Sequence, residues 1–362
     1  MNSIFLLGTS RGDALGPRAP ASGNGVRPIF PLPCLLVDLA YHECRAWLIG
    51  DDGHRHGPTL RLQLADFTSA IQIIASLLDR ISPVEPRSIV LAIPGPALAF
   101  RADFTNSDRN VDCMAIYRRF GFENGMLLND QEAAAFCVPD LGARDVQQIG
   151  SADLAVGAGA EALISSHHGL GVAVLRRFEN RYISQASEAG HIGISPSSPE
   201  EFAVLGAVYA EIGRIQAERI VANPGLALIH RARAGLAGFD PGQADAAQVA
   251  LAAAADPHGE EANSARMYCR IVGSYAGDVA LALMATGGVT LSGAVLQSLR
   301  PFLASPDVRK AFETKDPMTA MLRRVPLRLA LEDDLTLRGL AVLVQSPENF
   351  GINYDNRCWR QD

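Results

Sequence analysis

The feature that most constrains this chain occurs twice. An apolar run, a short turn and a second apolar run span residues 34–49, and the same arrangement returns at 162–177. In the first copy, CLLVD (34–38) ends on an acid and CRAWLIG (44–50) follows. In the second, ALIS (162–165) and GVAVLRR (171–177) flank HHGLG. Each copy opens one half of the chain. Two related α/β lobes with a ligand between them explain the pattern.

The remaining periodicities fit that frame. Leu64, Phe67, Ala70, Ile71, Ile74, Leu77 and Leu78 form a helical stripe over 64–80. SIVLAIP (88–94) reads as a buried strand, 112–120 as a helix, and GMLLND (125–130) as a strand running into a helix through EAAAFCV. The second half predicts a third strand at 181–185 and one long helix from 199 to 222, stopped by Asn223-Pro224-Gly225. Helices at 242–255 and 260–285, strands at 289–293 and 325–331, and helices from Ala294 and over 335–345 complete it. The expected division is a flexible extension (1–33), a small α/β lobe (34–140), a large α/β lobe with helical insertions (141–345) and a tail (346–362).

Composition removes several function classes. With 32 basic and 39 acidic residues the net charge is −7, which argues against non-specific nucleic-acid binding. Lys310 and Lys315 are the only lysines, so a catalytic lysine has almost no candidates. The six cysteines form no CxxC pair, so no zinc knuckle or redox pair is expected. No apolar run is long enough for a transmembrane helix, and the first residues lack a secretory pattern; a cytoplasmic protein is expected.

Three acids fall where strands or helices should end. Asp38 closes the first apolar run, Asp130 follows Asn129, and Glu188 stands three residues before His191 in SEAGH. Ligands of open α/β sheets bind beyond the carboxyl ends of strands, where a carboxylate orients a metal ion or removes a proton. Each acid also has a plainer reading as a turn, a helix cap or a loop residue. Gly169 and Gly171 suit either a hairpin or close approach to phosphate. Neither a dinucleotide GxGxxG after the first strand nor a P-loop occurs.

Taken together, LAIPGP (91–96), LLNDQEAAAF (127–136), GLGVAVL (169–175), SEAGHIGISPSSPEE (187–201), AEIGRIQAERIVANPGLALIHRA (210–232), GGVTLSGAVLQ (287–297) and AFETKDP (311–317) are colinear with one family. The chain resembles the bacterial glucokinases of the hexokinase and actin-like ATPase superfamily, from about Leu35 to Gln345. The resemblance implies a two-lobed ribonuclease H-like fold with sugar in the cleft, and ATP with Mg2+ at its back. It implies that Asn129 binds sugar and that Asp130 is the base for the 6-hydroxyl. It also implies that Glu188, His191 and Glu218 hold sugar hydroxyls. Carboxylates, an amide and an imidazole suit a ring of hydroxyls. The partner implied is glucose or a similar hexose, and family members often form homodimers.

On the nucleotide side the resemblance assigns Asp38, Arg45, His168, Gly169, Gly171 and Gly293, with Asp38 acting indirectly on the metal. The motifs themselves depart from the family. In DLAYHECR (38–45) the two family glycines are Ala40 and Tyr41, the threonine is His42 and the asparagine is Glu43. In SSHHGLG (165–171) two glycines become Ser165 and His167, and a threonine becomes His168. Ser292-Gly293-Ala294 replaces Ala-Gly-Gly. Bulk at Tyr41 and charge at Glu43 oppose phosphate, whereas the histidines offer donors or positive charge. Two readings follow: an ATP-dependent glucokinase, or a weakly active or inactive sugar-binding relative with a sensing or regulatory role.

Overall fold

A computed structural model describes residues 30–40, 42–97, 100–103, 110–151, 159–352 and 357–360. Tyr41 and all but the end of the expected N-terminal extension lie outside the described residues. In the first half, strands β1 (Cys34–Leu39), β2 (Glu43–Ile49) and β3 (Arg55–Gln63) form an antiparallel meander. β4 (Ser88–Ile93) joins β1 in parallel. After a small hairpin of β5 (Arg101–Asp103) and β6 (Asn110–Asp112), β7 (Asn124–Asn129) joins β4 in parallel.

The second half contains β8 (Val146–Gln148), β9 (Glu161–Ser166), β10 (Leu170–Phe178), β11 (Arg181–Ser187), β12 (Gly288–Ser292) and β13 (Leu327–Ala330). There β9–β10–β11 is again an antiparallel meander, and β12 and β13 follow β9 in parallel. The two sheets share one order, so the internal repeat is real at the level of topology. Each gains an antiparallel edge: β8 beside β13, and β14 (Cys358–Arg360) beside β7. This two-lobed α/β architecture is that of the ribonuclease H-like, actin-like fold.

Strand alternation explains why the lobes close on each other. In β1, Leu35, Val37 and Leu39 face one core with the helices Ala70–Ile81 and Cys113–Phe120. Cys34 and Leu36 face a second core, which also receives Leu163, Ala173 and Leu175 from the other sheet. Between the sheets lie the helices Asp130–Ala135 and Leu335–Gln345. They touch backbone to backbone: a Cβ added at Gly339 would overlap the Ala133 carbonyl oxygen. The third and largest core packs the helical insertions on the outer face of the second sheet. Among the described residues no helix is long and apolar enough to cross a membrane.

Two predicted helices differ. The stripe at 64–80 starts its α-helix only at Ala70, where Ser69 caps the Gln72 N–H; residues 64–66 are a single 3-10 turn. The preceding strand β3 is mostly exposed and carries Pro58, so its apolar signal is weak. The helix expected over 199–222 breaks at Gly213, whose φ of 74° ends Pro199–Ile212. The chain turns there, and Ala217–Val221 forms a separate short helix. That break aims Glu218 back toward the lobe interface.

Candidate active site

Parallel strands deliver their carboxyl ends to the same edge of each sheet. Asp38, Asn129 and Asp130 arrive from one lobe, His167 and Ser292 from the other, around a cavity of about 470 Å3. Asn129, Asp130, Glu188, His191 and Glu218 all line this one cavity.

At the end of the cavity lined by these five residues, most of the side chains are held by the elements that carry them. Asn129 is the N-cap of the helix Asp130–Ala135, its Oδ1 accepting from the Gln131 and Glu132 N–H groups at 2.9 and 3.0 Å. Its Nδ2 donates to the Gly95 carbonyl at 3.0 Å, tying the cap to the neighbouring strand end. The plainer capping reading thus applies to Asn129, which leaves Asp130 as the first helical residue facing the cavity. Glu218 accepts from the Leu170 N–H at 3.1 Å, which links the short helix to β10. His191 lies 3.6 Å from the exposed Glu188 carboxylate and 3.4 Å from the Gln216 side chain.

The other end is formed by two hairpins. Asp38 is buried at 2% exposure and accepts from Arg45 at 2.5 Å; Arg45 also donates to Asp334 at 2.9 Å. Glu43, expected to repel phosphate, accepts from Arg61 at 2.7 Å. The β1–β2 and β9–β10 hairpins meet across the cleft, with the His42 and His168 rings edge to face at 4.6 Å. Gly169 and Gly171 line the cavity; Gly293 does not, although Ser292 and Ala294 do. Gly171 and Gly293 have packing reasons of their own. A Cβ at Gly171 would overlap the Gln131 side chain, and one at Gly293 the Ser166 carbonyl.

The charges divide the cleft further. Burial first, then the nearby Asp38 carboxylate, push the Asp130 carboxyl up to about 7. His167 is pushed down to about 4 by burial, with Arg45 and His168 adding to the shift. It is therefore neutral at pH 7 and offers a hydrogen-bond donor rather than a positive charge. Burial, then His42, also lowers His168.

Several cleft residues carried no sequence signal. Gln131 and Asn223 line the cavity, and Gln131 Oε1 and Asn223 Oδ1 are buried without a hydrogen-bond partner. Asp333 and Asp334 bring the last helix to the cleft; an acid pair just after a buried strand was the available sign.

A family model described as glucokinase matches residues 47–347. The chain is 30% identical to the glucokinase of Rhizobium johnstonii over 339 residues, which cover 93% of this chain and 98% of that one. Among solved structures, a glucokinase from an Antarctic psychrotroph superposes with a TM-score of 0.74 at 24% identity, covering 86% of this chain and 98% of that one. The glucokinase of Balamuthia mandrillaris, solved in complex with glucose, does so at 0.70 and 19%, covering 86% and 93%. These two likenesses speak to the fold; the family match and the rhizobial identity speak to descent. The chain belongs to the glucokinase family, within the actin-like superfamily of sugar kinases.

Proposed function

We propose that the protein transfers the γ-phosphoryl group of MgATP to the 6-hydroxyl of glucose in the cytoplasm, giving glucose 6-phosphate. The observation that carries this reading is Asp130, a carboxyl raised to about 7 in a cavity it shares with four other hydroxyl-binding side chains. A base with a pKa near neutrality removes a hydroxyl proton more effectively than an ordinary carboxylate. The 6-oxygen–phosphorus bond forms, the bond from the γ-phosphorus to the bridging oxygen breaks, and the hydroxyl proton passes to Asp130. Asn129, locked as a cap, holds the start of the Asp130 helix against the sugar. Glu188, His191 and Glu218 take the remaining hydroxyls, so an analogue lacking one leaves a polar group unpaired. The name of the rhizobial relative and the glucose bound to the Balamuthia enzyme support glucose as the hexose.

The nucleotide end fits its ligand less well. Among the described residues no three His, Cys, Asp or Glu side chains gather as a metal site. A magnesium ion would thus be held mainly through nucleotide phosphates and water, with Asp38 behind it. His168, Gly169 and Gly171 would line the phosphate path, and the His42–His168 contact stands across it. That contact favours the second reading, a sugar binder with little or no turnover. A coupled assay for glucose 6-phosphate, run beside glucose titration, separates the two. Turnover with a pH midpoint near 7 is expected; glucose binding without product would favour the second reading.

A further inference from the structure

The C-terminal strand lies beyond the part of the chain that the family model matches, which ends at residue 347. It is nevertheless attached to the strand that leads into the active site. β14 pairs with β7 through Cys358–Met126, Trp359–Gly125 and Arg360–Asn124, and the Leu127 N–H donates to the Arg357 carbonyl at 2.9 Å. Trp359 is fully buried, and its indole packs directly against Gly125, where any Cβ would overlap it. Arg357 reaches past the end of β7. Its Nη1 donates to both carboxylate oxygens of Glu132, at 3.0 and 2.8 Å. Glu132 is the third residue of the helix that begins with Asp130, and its N–H donates to the Asn129 cap.

We propose that the C-terminal strand is a strap that sets the position of the active-site helix, with Arg357 as a positioning residue acting through Glu132 on Asn129 and Asp130. The strap holds both sides of the junction: the indole and strand pairing grip β7, and the guanidinium grips the helix. A carboxylate as buried as Glu132, with 11% of its side chain exposed, needs a paired cation. Burial raises the Glu132 carboxyl and Arg357 opposes that rise. Without Arg357, Glu132 turns toward water, pulling on the helix turn that Asn129 caps, or takes up a proton, leaving that turn without its tie to the strand.

The role assigned to Asn129 and Asp130 rests on the proposed function, so the test has one arm with ligand and one without. In the full chain, Arg357→Met should weaken glucose binding at least tenfold. It should speed amide exchange in residues 130–136 at least tenfold, while the helix Ala70–Ile81 exchanges as before. Arg357→Lys should recover part of the affinity. Adding Glu132→Gln to Arg357→Met should recover more, because the buried charge is then gone. If Arg357→Met does not fold, Arg357→Lys and Glu132→Gln carry the same comparison. Unchanged affinity and unchanged local exchange, or a loss spread evenly over both lobes, would overturn the strap. Failure of the unmodified protein to bind glucose would count against the proposed function alone, and local exchange would then decide the strap.

Discussion

The two ends of the cleft are built differently. At the proposed sugar end, three of the five candidate ligands sit at a junction between elements: Asn129 caps a helix, Asp130 begins it, and Glu218 follows the break at Gly213 and anchors β10. These residues hold the fold as well as the cavity, so few substitutions leave both intact. At the proposed phosphate end, much of the lining comes from two hairpin turns. A turn tolerates a new side chain wherever its backbone conformation permits, and here side chains stand where the family has glycine and threonine. The compensation is also local: Arg61 and Arg45 surround Glu43, and His42 rests against His168. The contrast teaches that a site made of structural junctions changes slowly, whereas a site made of turn backbone can be remodelled without disturbing the lobes around it.

Perturbing the sugar end should therefore have the larger consequences. Asp130→Asn should lower turnover by roughly 10²–10⁴-fold while glucose affinity stays within a few-fold, measured by kinetics and calorimetry on one sample. Near-normal turnover would remove Asp130 as the base. Glu218→Gln should weaken glucose binding by about tenfold or more, because a hydrogen bond to a charged group contributes about 1.5–3 kcal/mol, and His191→Ala by about two- to tenfold, for an ordinary hydrogen bond of about 0.5–1.5 kcal/mol. Equal losses in MgATP binding would break the division between the two ends.

Another effect concerns stability. The Asp130 carboxyl, near 7 when folded, binds its proton more tightly than in the unfolded chain. Over pH 4 to 7 the native state thus holds more protons than the unfolded state, and stability falls as pH rises through that window. Asp130→Asn removes this loss. The variant should be more stable than the unmodified protein at pH 8, by up to about 4 kcal/mol, with the advantage vanishing near pH 4. Denaturant melts at the two pH values check it.

Much of this was legible in the sequence, for a physical reason in each case. β1, β4 and β7 are buried on both faces, so their apolar runs are continuous and easily read. The repeated meander appeared as two apolar pairs because β9 and β10 are buried in the same way as β1 and β2. β3 lacked that burial and went unread. The break at Gly213 was hidden because the residues around it are good helix formers, and only the φ of 74° ends the helix. The strap was invisible for another reason: a three-residue strand has no period, and Trp359 and Arg357 gain meaning only beside Gly125 and Glu132. Motif comparison singled out five residues that the fold gathers around one cavity. It could not show that His42 and His168 touch, since they lie 126 positions apart in the chain and on different lobes.

The central claim is that a retained sugar end faces a remodelled phosphate end. It is tested most directly by titrating glucose and MgATP into the unmodified protein and into a variant carrying Tyr41→Gly, Glu43→Asn, His167→Gly and His168→Thr, after confirming that both are folded. Both proteins should bind glucose comparably, and the variant should bind MgATP more tightly. Tight MgATP binding and rapid turnover by the unmodified protein, with no gain in the variant, would contradict the claim and make the histidines a working phosphate clamp.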